Sequence, residues 1–165
     1  MKKLLSLLLV GTFCMVCSVP SFAAQAASPQ VSETVISVTE QDLGDGFTEK
    51  TVTSIPGHSM LQTQLNAASL TKTVHRTAEV RHDGNFVGSV TLTATFGYNG
   101  SSSWVNSMRA SHSTASGWDY TNEKMWKSGG TANLSATMVK KLAFLTVAQV
   151  DPSVSMTCSP TGTIS

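Results

Sequence analysis

The chain has 165 residues with 11 basic and 10 acidic side chains, so its formal net charge is +1. A charge this close to zero supplies no bulk field that attracts nucleic acid or an anionic membrane, and we expect no nucleic-acid partner. Serine and threonine are abundant while leucine, glutamate and lysine are sparse, which favours strands over helices.

The N-terminus has the layout of a secretory signal peptide. Lys2 and Lys3 precede an apolar run over 4–16, and small residues follow the helix-breaking Pro20. The apolar run is too short to span a membrane, and no second long run follows it. We therefore expect a secreted, extracellular protein with no membrane span in its mature form.

The same pattern sets the domain boundaries. The signal peptide is predicted over 1–23, with cleavage as late as residue 26, because both positions satisfy the small-x-small rule. Residues 24–33 are small and polar and are predicted to form a flexible lead-in. The remaining segment, 34–165, is long enough for one domain with a core and too short for two.

Cysteine usage excludes an internal cross-link in the mature form. Cys14 and Cys17 lie in the predicted signal peptide, which leaves Cys158 alone and makes an intramolecular disulfide impossible. A lone thiol in an exported protein can mark an intermolecular bridge. Cys158 alternates with Val154 and Met156, however, and this favours a buried, slowly reacting side chain.

The longest strand signal runs from Phe86 to Gly100. Apolar residues on one parity face threonine and serine on the other, which predicts one buried and one exposed face. The loop that follows must exceed two residues if Trp104 is to join the apolar face. The apolar parity comprises Phe86, Val90, Leu92, Ala94, Phe96 and Tyr98.

Further strands follow at regular spacing, interrupted by one short segment over 59–70 that is predicted as one or two helical turns or an ordered loop. The first two strands alternate weakly and are interpreted as edge strands or a loosely attached hairpin. Eight or nine short strands indicate an all-β, antiparallel two-layer sandwich, immunoglobulin-like or similar. Besides 86–100, the strands are predicted at 34–41, 47–55, 71–82, 104–113, 117–127, 131–141 and 142–150, with a last inward parity over 154–158.

The turn after residue 82 fixes a register. A three-residue loop places Ala78 opposite Val90 and Val74 opposite Ala94, whereas a two-residue loop places them opposite polar residues. Burial therefore selects the longer loop, with Asn85 in the left-handed conformation.

Four short motifs lie in the C-terminal part of the chain: TATFGYNG (93–100), GW (117–118), GGTANLSAT (129–137) and the closing SMTCSPTGTIS (155–165). On these motifs, the segment from Thr71 to Ser165 resembles a group of small secreted proteins from Gram-positive bacteria. Those proteins end in a similar Thr-Cys-Ser and Gly-containing tail. The motifs are strand and turn residues, so the resemblance implies no catalytic residue.

The residues that hydrolases need are not combined in a recognisable pattern. Asp119 and Glu123 share a strand parity, but a regular strand separates their backbones by about 13 Å, beyond the roughly 5–9.5 Å of glycosidase carboxylates. There is no Gly-x-Ser-x-Gly motif, and the four histidines lack the spacing of a metal site. We expect no catalytic residue, no metal site and no cofactor.

The one local enrichment is aromatic. If the strand over 117–127 is regular, Trp118, Tyr120, Asn122, Lys124 and Trp126 point the same way. Aromatic faces beside amide and cationic groups stack on sugar rings and bond their hydroxyls. Core packing is the more frequent role of such aromatics, although an ammonium in the row is costly to bury. Both interpretations are open at the level of sequence.

Two functions from different classes remain, with a third behind them. The first is a non-catalytic extracellular binding or surface-interaction module whose partner is a cell-surface glycan or protein. The second is a glycan or peptidoglycan hydrolase whose residues converge in space. The third is a bacteriocin-like secreted toxin. Exposure of the tryptophans favours the first, and a histidine beside Asp119, Glu123 or Glu79 in a cleft favours the second.

Overall fold

A computed structural model describes residues 32–57 and 69–165. The predicted signal peptide and most of the 59–70 segment lie outside these ranges. The described residues form strands joined by turns and short loops and contain no helix, so none of them crosses a membrane as a long apolar helix. The strands are β1 (Glu33–Gly44), β2 (Phe47–Pro56), β3 (Leu70–His82), β4 (Asn85–Tyr98), β5 (Ser103–Thr114), β6 (Trp118–Ser128), β7 (Thr131–Leu142), β8 (Leu145–Val150) and β9 (Ser153–Thr157).

The strands pair into two antiparallel sheets, which confirms the predicted all-β sandwich. One sheet has five strands in the order β1-β2-β3-β4-β5, and the other has four, with β7 between β6 and the pair β8 and β9. β8 and β9 share one edge of β7, where β9 pairs with 131–135 and β8 with 138–142. Strands β1 to β5, and likewise β6 to β8, lie side by side in chain order, unlike the interleaved strands of immunoglobulin domains.

The core lies between the two sheets. The alternation predicted for β4 and β7 is confirmed in the middle of β4 and the first part of β7, where one parity is buried from Val90 to Phe96 and from Ala132 to Met138. The alternate residues Val154, Met156 and Cys158 also point into the core, as predicted. The Cys158 thiol is directed to the Ser159 carbonyl oxygen at 3.4 Å. Burial raises the pKa of the Cys158 thiol. The largest fully buried side chains are Phe96, Leu92, Leu134, Met138 and Met156.

The predicted register of β3 and β4 is confirmed. Ala78 lies opposite Val90, and Val74 lies opposite Ala94. All four side chains are buried, so the pairing that burial selects is the one the chain adopts.

The predicted three-residue loop is wrong. His82 pairs with Asn85, so the turn has two residues, Asp83 and Gly84, whose φ angles of 49° and 77° are both left-handed. Asn85 does not occupy that conformation. The register shift comes from a bulge at Val87, which places Val87 in the core and leaves Phe86 exposed.

A second bulge corrects the prediction for Trp104. Tyr98 pairs with Ser103, so the loop has four residues and is longer than two, as expected. The bulge in β5 turns Val105 into the core, and Trp104 lies across Gly97 on the other face. A Cβ atom on Gly97 would lie 2.5 Å from the indole, so only glycine fits beneath this ring.

The prediction of two edge strands in the first hairpin is confirmed for β1 and wrong for β2. β1 is an edge strand, and every one of its residues is exposed. β2 is not an edge strand, because it lies between β1 and β3 and pairs with β3 over eight residues, from Phe47 to Ser54.

Two cations on the inner face of β3 link it to the C-terminal segment. Arg76 donates from Nε to the Thr53 hydroxyl at 2.7 Å and from Nη1 to the Ser155 carbonyl oxygen. Lys72 donates to the Gly162 carbonyl oxygen. Burial lowers the pKa of Arg76. Backbone acceptors therefore hold both side chains where the two sheets meet.

The core assignment predicts a contrast between two leucines. Leu92→Ala should lower the free energy of unfolding by about 2–5 kcal/mol, because Leu92 is fully buried and its removal leaves a cavity. Leu145→Ala, at an exposed position, should change it by less than about 0.5 kcal/mol. Urea titration of each variant measures both values, and similar losses at the two positions would contradict the burial described.

Candidate functional site

The candidate row on β6 is divided by a bulge. Thr121 pairs with Thr137 and Lys124 with Ser135, so two residues of β6 stand opposite one residue of β7. Asn122, the first of the two, has a left-handed φ of 55°. The parity of the strand reverses at this point, and the prediction of a single row of five side chains is therefore wrong.

The half before the bulge faces inward. Trp118 is 8% exposed and packs edge-on against Phe47, with ring centroids 6.1 Å apart. The ammonium of Lys140 lies 6.0 Å from the centre of the Trp118 ring. For Trp118 the structure favours the core interpretation, with a cation covering its outer side.

Tyr120 also faces inward and joins a histidine to a carboxylate. Its ring stacks on His112 at a centroid distance of 3.7 Å, and its hydroxyl donates to Glu123 Oε2 at 2.8 Å. Burial, with help from the hydrogen bond to Glu123, raises the pKa of Tyr120. Asp119 instead lies 3.7 Å from the Lys141 ammonium. The two carboxylates thus have separate partners.

The half after the bulge faces outward on the four-stranded sheet. Here Lys124 and Trp126 join side chains from β7 and β9 in three cross-strand rows. We call this surface the Trp126 face. It consists of Lys124, Ser135 and Ser153, then Trp126, Asn133 and Ser155, then Ser128, Thr131 and Thr157.

Hydrogen bonds fix the polar groups of the Trp126 face. Ser155 Oγ donates to Asn133 Oδ1 at 2.9 Å, and the Asn133 amide nitrogen lies 3.5 Å from the Trp126 carbonyl oxygen. The hydroxyls of Thr131 and Thr157 are 3.0 Å apart. Trp126 is 47% exposed, so its indole lies beside an ordered amide and an ordered hydroxyl.

Sequence reasoning found two residues of this face and missed the others. The signal for Asn133 and Ser155 is the polar parity of their own strands, which is as regular as the apolar parity. Their position beside Trp126 depends on the pairing of β6, β7 and β9, which strand periodicity leaves undetermined.

A serine, a carboxylate and a histidine also meet on the outer face of the five-stranded sheet. Ser54 Oγ donates to Glu33 Oε2 at 2.9 Å, and His75 Nδ1 lies 3.2 Å from Glu33 Oε1. The carboxylate stands between the serine and the histidine. A nucleophilic triad needs the histidine in that middle place, so this cluster does not activate Ser54.

Two open cavities lie elsewhere on the described surface. Neither is lined by a carboxylate, a histidine or a cysteine, and within 32–57 and 69–165 no three potential ligands are grouped to hold a metal. One, of about 320 Å³, is lined by Ser69, Leu70, Tyr98, Asn99, Gly100, Pro160 and Thr161. The other, of about 340 Å³, is lined by Thr73, Thr93, Thr95, Ser107, Met108 and Arg109.

The fold and the Trp126 face together define a class of protein: a two-sheet, all-β domain with one exposed aromatic residue on a hydroxyl-rich sheet face. No protein-family model, curated protein or solved structure matches the chain. What the chain does must therefore be argued from its own residues.

The raised pKa of Tyr120 predicts a pH dependence of stability. A group with a raised folded pKa stabilises the fold below its unfolded pKa and loses that contribution as the pH rises. Above pH 10.0, the ordinary tyrosine value, the unfolded chain ionises first. The stability difference between the wild type and Tyr120→Phe should therefore shrink above this pH in urea titrations. A constant difference from neutral to alkaline pH would contradict the argument.

Proposed function

We propose that this protein is a secreted, non-catalytic binding module that holds a cell-surface glycan on the Trp126 face. The observation that carries the proposal is Trp126 itself, an indole 47% exposed on the outer side of the edge strand β6, in the middle one of the three rows of the Trp126 face. An exposed tryptophan ring supplies an apolar platform for a sugar ring, and adjacent polar groups bond its hydroxyls.

The polar groups beside Trp126 suit this ligand. Asn133 has an amide that both donates and accepts, and the surrounding side chains are serine or threonine hydroxyls. Because paired strands carry these groups, their positions are set before a ligand arrives, which lowers the entropy lost on binding.

The charge of the Trp126 face limits the class of glycan that the face can bind. Among the nine side chains of the Trp126 face, Lys124 is the single cation and there is no carboxylate. A neutral or anionic polysaccharide is therefore compatible with the face. Peptidoglycan and acidic wall polymers are the extracellular candidates of that chemistry.

A glycan hydrolase is the alternative from another class. Tyr120 lies between Glu123 and His112: its ring stacks on His112, and its hydroxyl donates a hydrogen bond to the Glu123 carboxylate. Asp119 contacts Lys141 instead. A hydrolase needs two carboxyl groups on opposite sides of one glycosidic bond. The separate partners of Asp119 and Glu123 argue against that role.

The two tryptophans of β6 differ in burial and give the decisive test. Trp126→Ala should abolish retention on a polysaccharide or peptidoglycan fraction and leave the melting temperature within a few degrees, because the ring is exposed. Trp118→Ala should lower the free energy of unfolding by about 3–5 kcal/mol, because that ring is buried. Pull-down assays and thermal melts of the same preparations measure both effects.

A second variant refines the result. Lys124→Gln should weaken binding to an anionic polymer and leave binding to a neutral one unchanged. If Trp126→Ala is retained as well as the wild type on every fraction tested, the Trp126 face is not the binding surface.

Secretion is a separate proposal, supported by Lys2 and Lys3 before the apolar run over 4–16. Protein recovered from the culture medium should begin at Ala24 or Ala27, because cleavage is expected after residue 23 or 26. N-terminal sequencing measures this directly. Soluble extracellular protein that still begins at Met1 would exclude a cleaved signal.

A further inference from the structure

The hairpin between β7 and β8 ends in a tip unlike the other tight turns. Leu142 pairs with Leu145 around the two residues Ala143 and Phe144. We call residues 142–145 the β7–β8 tip; all four are apolar. The other two-residue turns between described strands are Asp45-Gly46, Asp83-Gly84 and Gly129-Gly130.

The tip is fully presented to solvent. Phe144 is 99% exposed, Leu145 73% and Leu142 72%, and Val147 beside them is 54% exposed. Ala143 has a left-handed φ of 54°, a conformation for which glycine or asparagine is favoured. The turn thus has an unfavourable backbone conformation at Ala143 and exposes its apolar side chains to solvent. Phe144 packs against no described core residue, so packing in the core explains neither feature.

Two lysines lie at the base of the tip, on the β7 side. Lys140 and Lys141 directly precede Leu142, and Lys140 is held over Trp118 while Lys141 lies 3.7 Å from Asp119. Against two ammonium groups there is one carboxylate, so the base of the tip is locally positive although the chain as a whole is almost neutral. An apolar end with cations at its base is the arrangement of an interfacial membrane anchor.

We propose that the β7–β8 tip docks this protein on an anionic lipid bilayer. Phe144 and its neighbours enter the region between headgroups and acyl chains, and Lys140 and Lys141 contact the lipid phosphates. At about 3.3 Å per strand residue the tip extends roughly 7 Å beyond Lys141, which fits the interfacial depth of about 5–10 Å and not a membrane span.

A bilayer suits this surface better than a protein does. The tip is a narrow, convex end of one hairpin with four apolar side chains, whereas a stable protein interface uses roughly 20–30 residues from each partner. A fluid lipid surface adapts to a convex end. This docking is independent of the Trp126 face, which lies on the 131–135 half of β7, away from the tip.

Vesicle flotation of the full chain tests the proposal. The chain should bind vesicles of phosphatidylglycerol and phosphatidylcholine more tightly than phosphatidylcholine alone. Phe144→Ser and Leu145→Ser should each lower the partition coefficient roughly tenfold or more. Val38→Ser removes an apolar side chain that is 54% exposed on β1 and should leave it unchanged. All variants keep residues 1–31, so any binding by that segment is common to them.

Two further measurements isolate the tip. Lys140→Gln should weaken binding to the anionic vesicles about fivefold and have no effect with the neutral ones. The indole introduced by Phe144→Trp should shift its emission to the blue on anionic vesicles and be quenched by brominated acyl chains. The difference from the emission of the wild type, in which Trp104, Trp118 and Trp126 are also present, reports the tip even if another segment also binds lipid.

Two outcomes would overturn the proposal. The first is unchanged flotation of Phe144→Ser together with emission from Phe144→Trp that does not respond to vesicles. The second is a dimer in sedimentation equilibrium that Phe144→Ser dissociates, with no vesicle response of Phe144→Trp. That result would assign the tip to contact between copies of the chain.

Discussion

The structure depends on covering the apolar inner face of one wide sheet with a narrower one. Phe96, Leu92 and Val90 of β4 are fully buried only because β7 and β9 pack opposite the five-stranded sheet. Four strands cannot cover five completely, and β1 lies outside the covered width with all its residues exposed. The β7–β8 hairpin also extends beyond the core, and its tip is exposed to solvent. The exposure of β1 follows from the unequal width of the two sheets.

Bulges allow single strands to serve two surfaces. In β6 the extra residue at Asn122 lets the strand supply Trp118 to the core and Trp126 to the outside within nine residues. A bulge at Val147 in β8 likewise adds an exposed apolar side chain near the hairpin end. In a strictly regular β6, Trp118, Tyr120 and Trp126 would point to the same face, and these aromatic residues would then all be core or all be surface.

The sequence predicted the features that depend on a period of two. The strands, the buried parity of β7 and the β3–β4 register all follow from local alternation, which burial enforces. A bulge is one added residue with no periodic signature, so the positions of Val87, Val105 and Trp126 were beyond such reasoning. Only Lys124 and Trp126 of the nine residues of the Trp126 face were predicted, for a related reason. Asn133 and Ser155 reach Trp126 through pairing between distant segments.

The free edge of β1 bears on how the protein avoids polymerising. β1 has twelve residues and pairs with β2 on one side only, so its other edge is a template on which another chain can extend the sheet. β1 interrupts that template with register shifts at Ile36 and Leu43, and it carries carboxylates at Glu33, Glu40 and Asp42. An incoming copy of β1 would meet a broken ladder and like charges. The edge that the narrower sheet leaves uncovered is thereby protected against fibre growth.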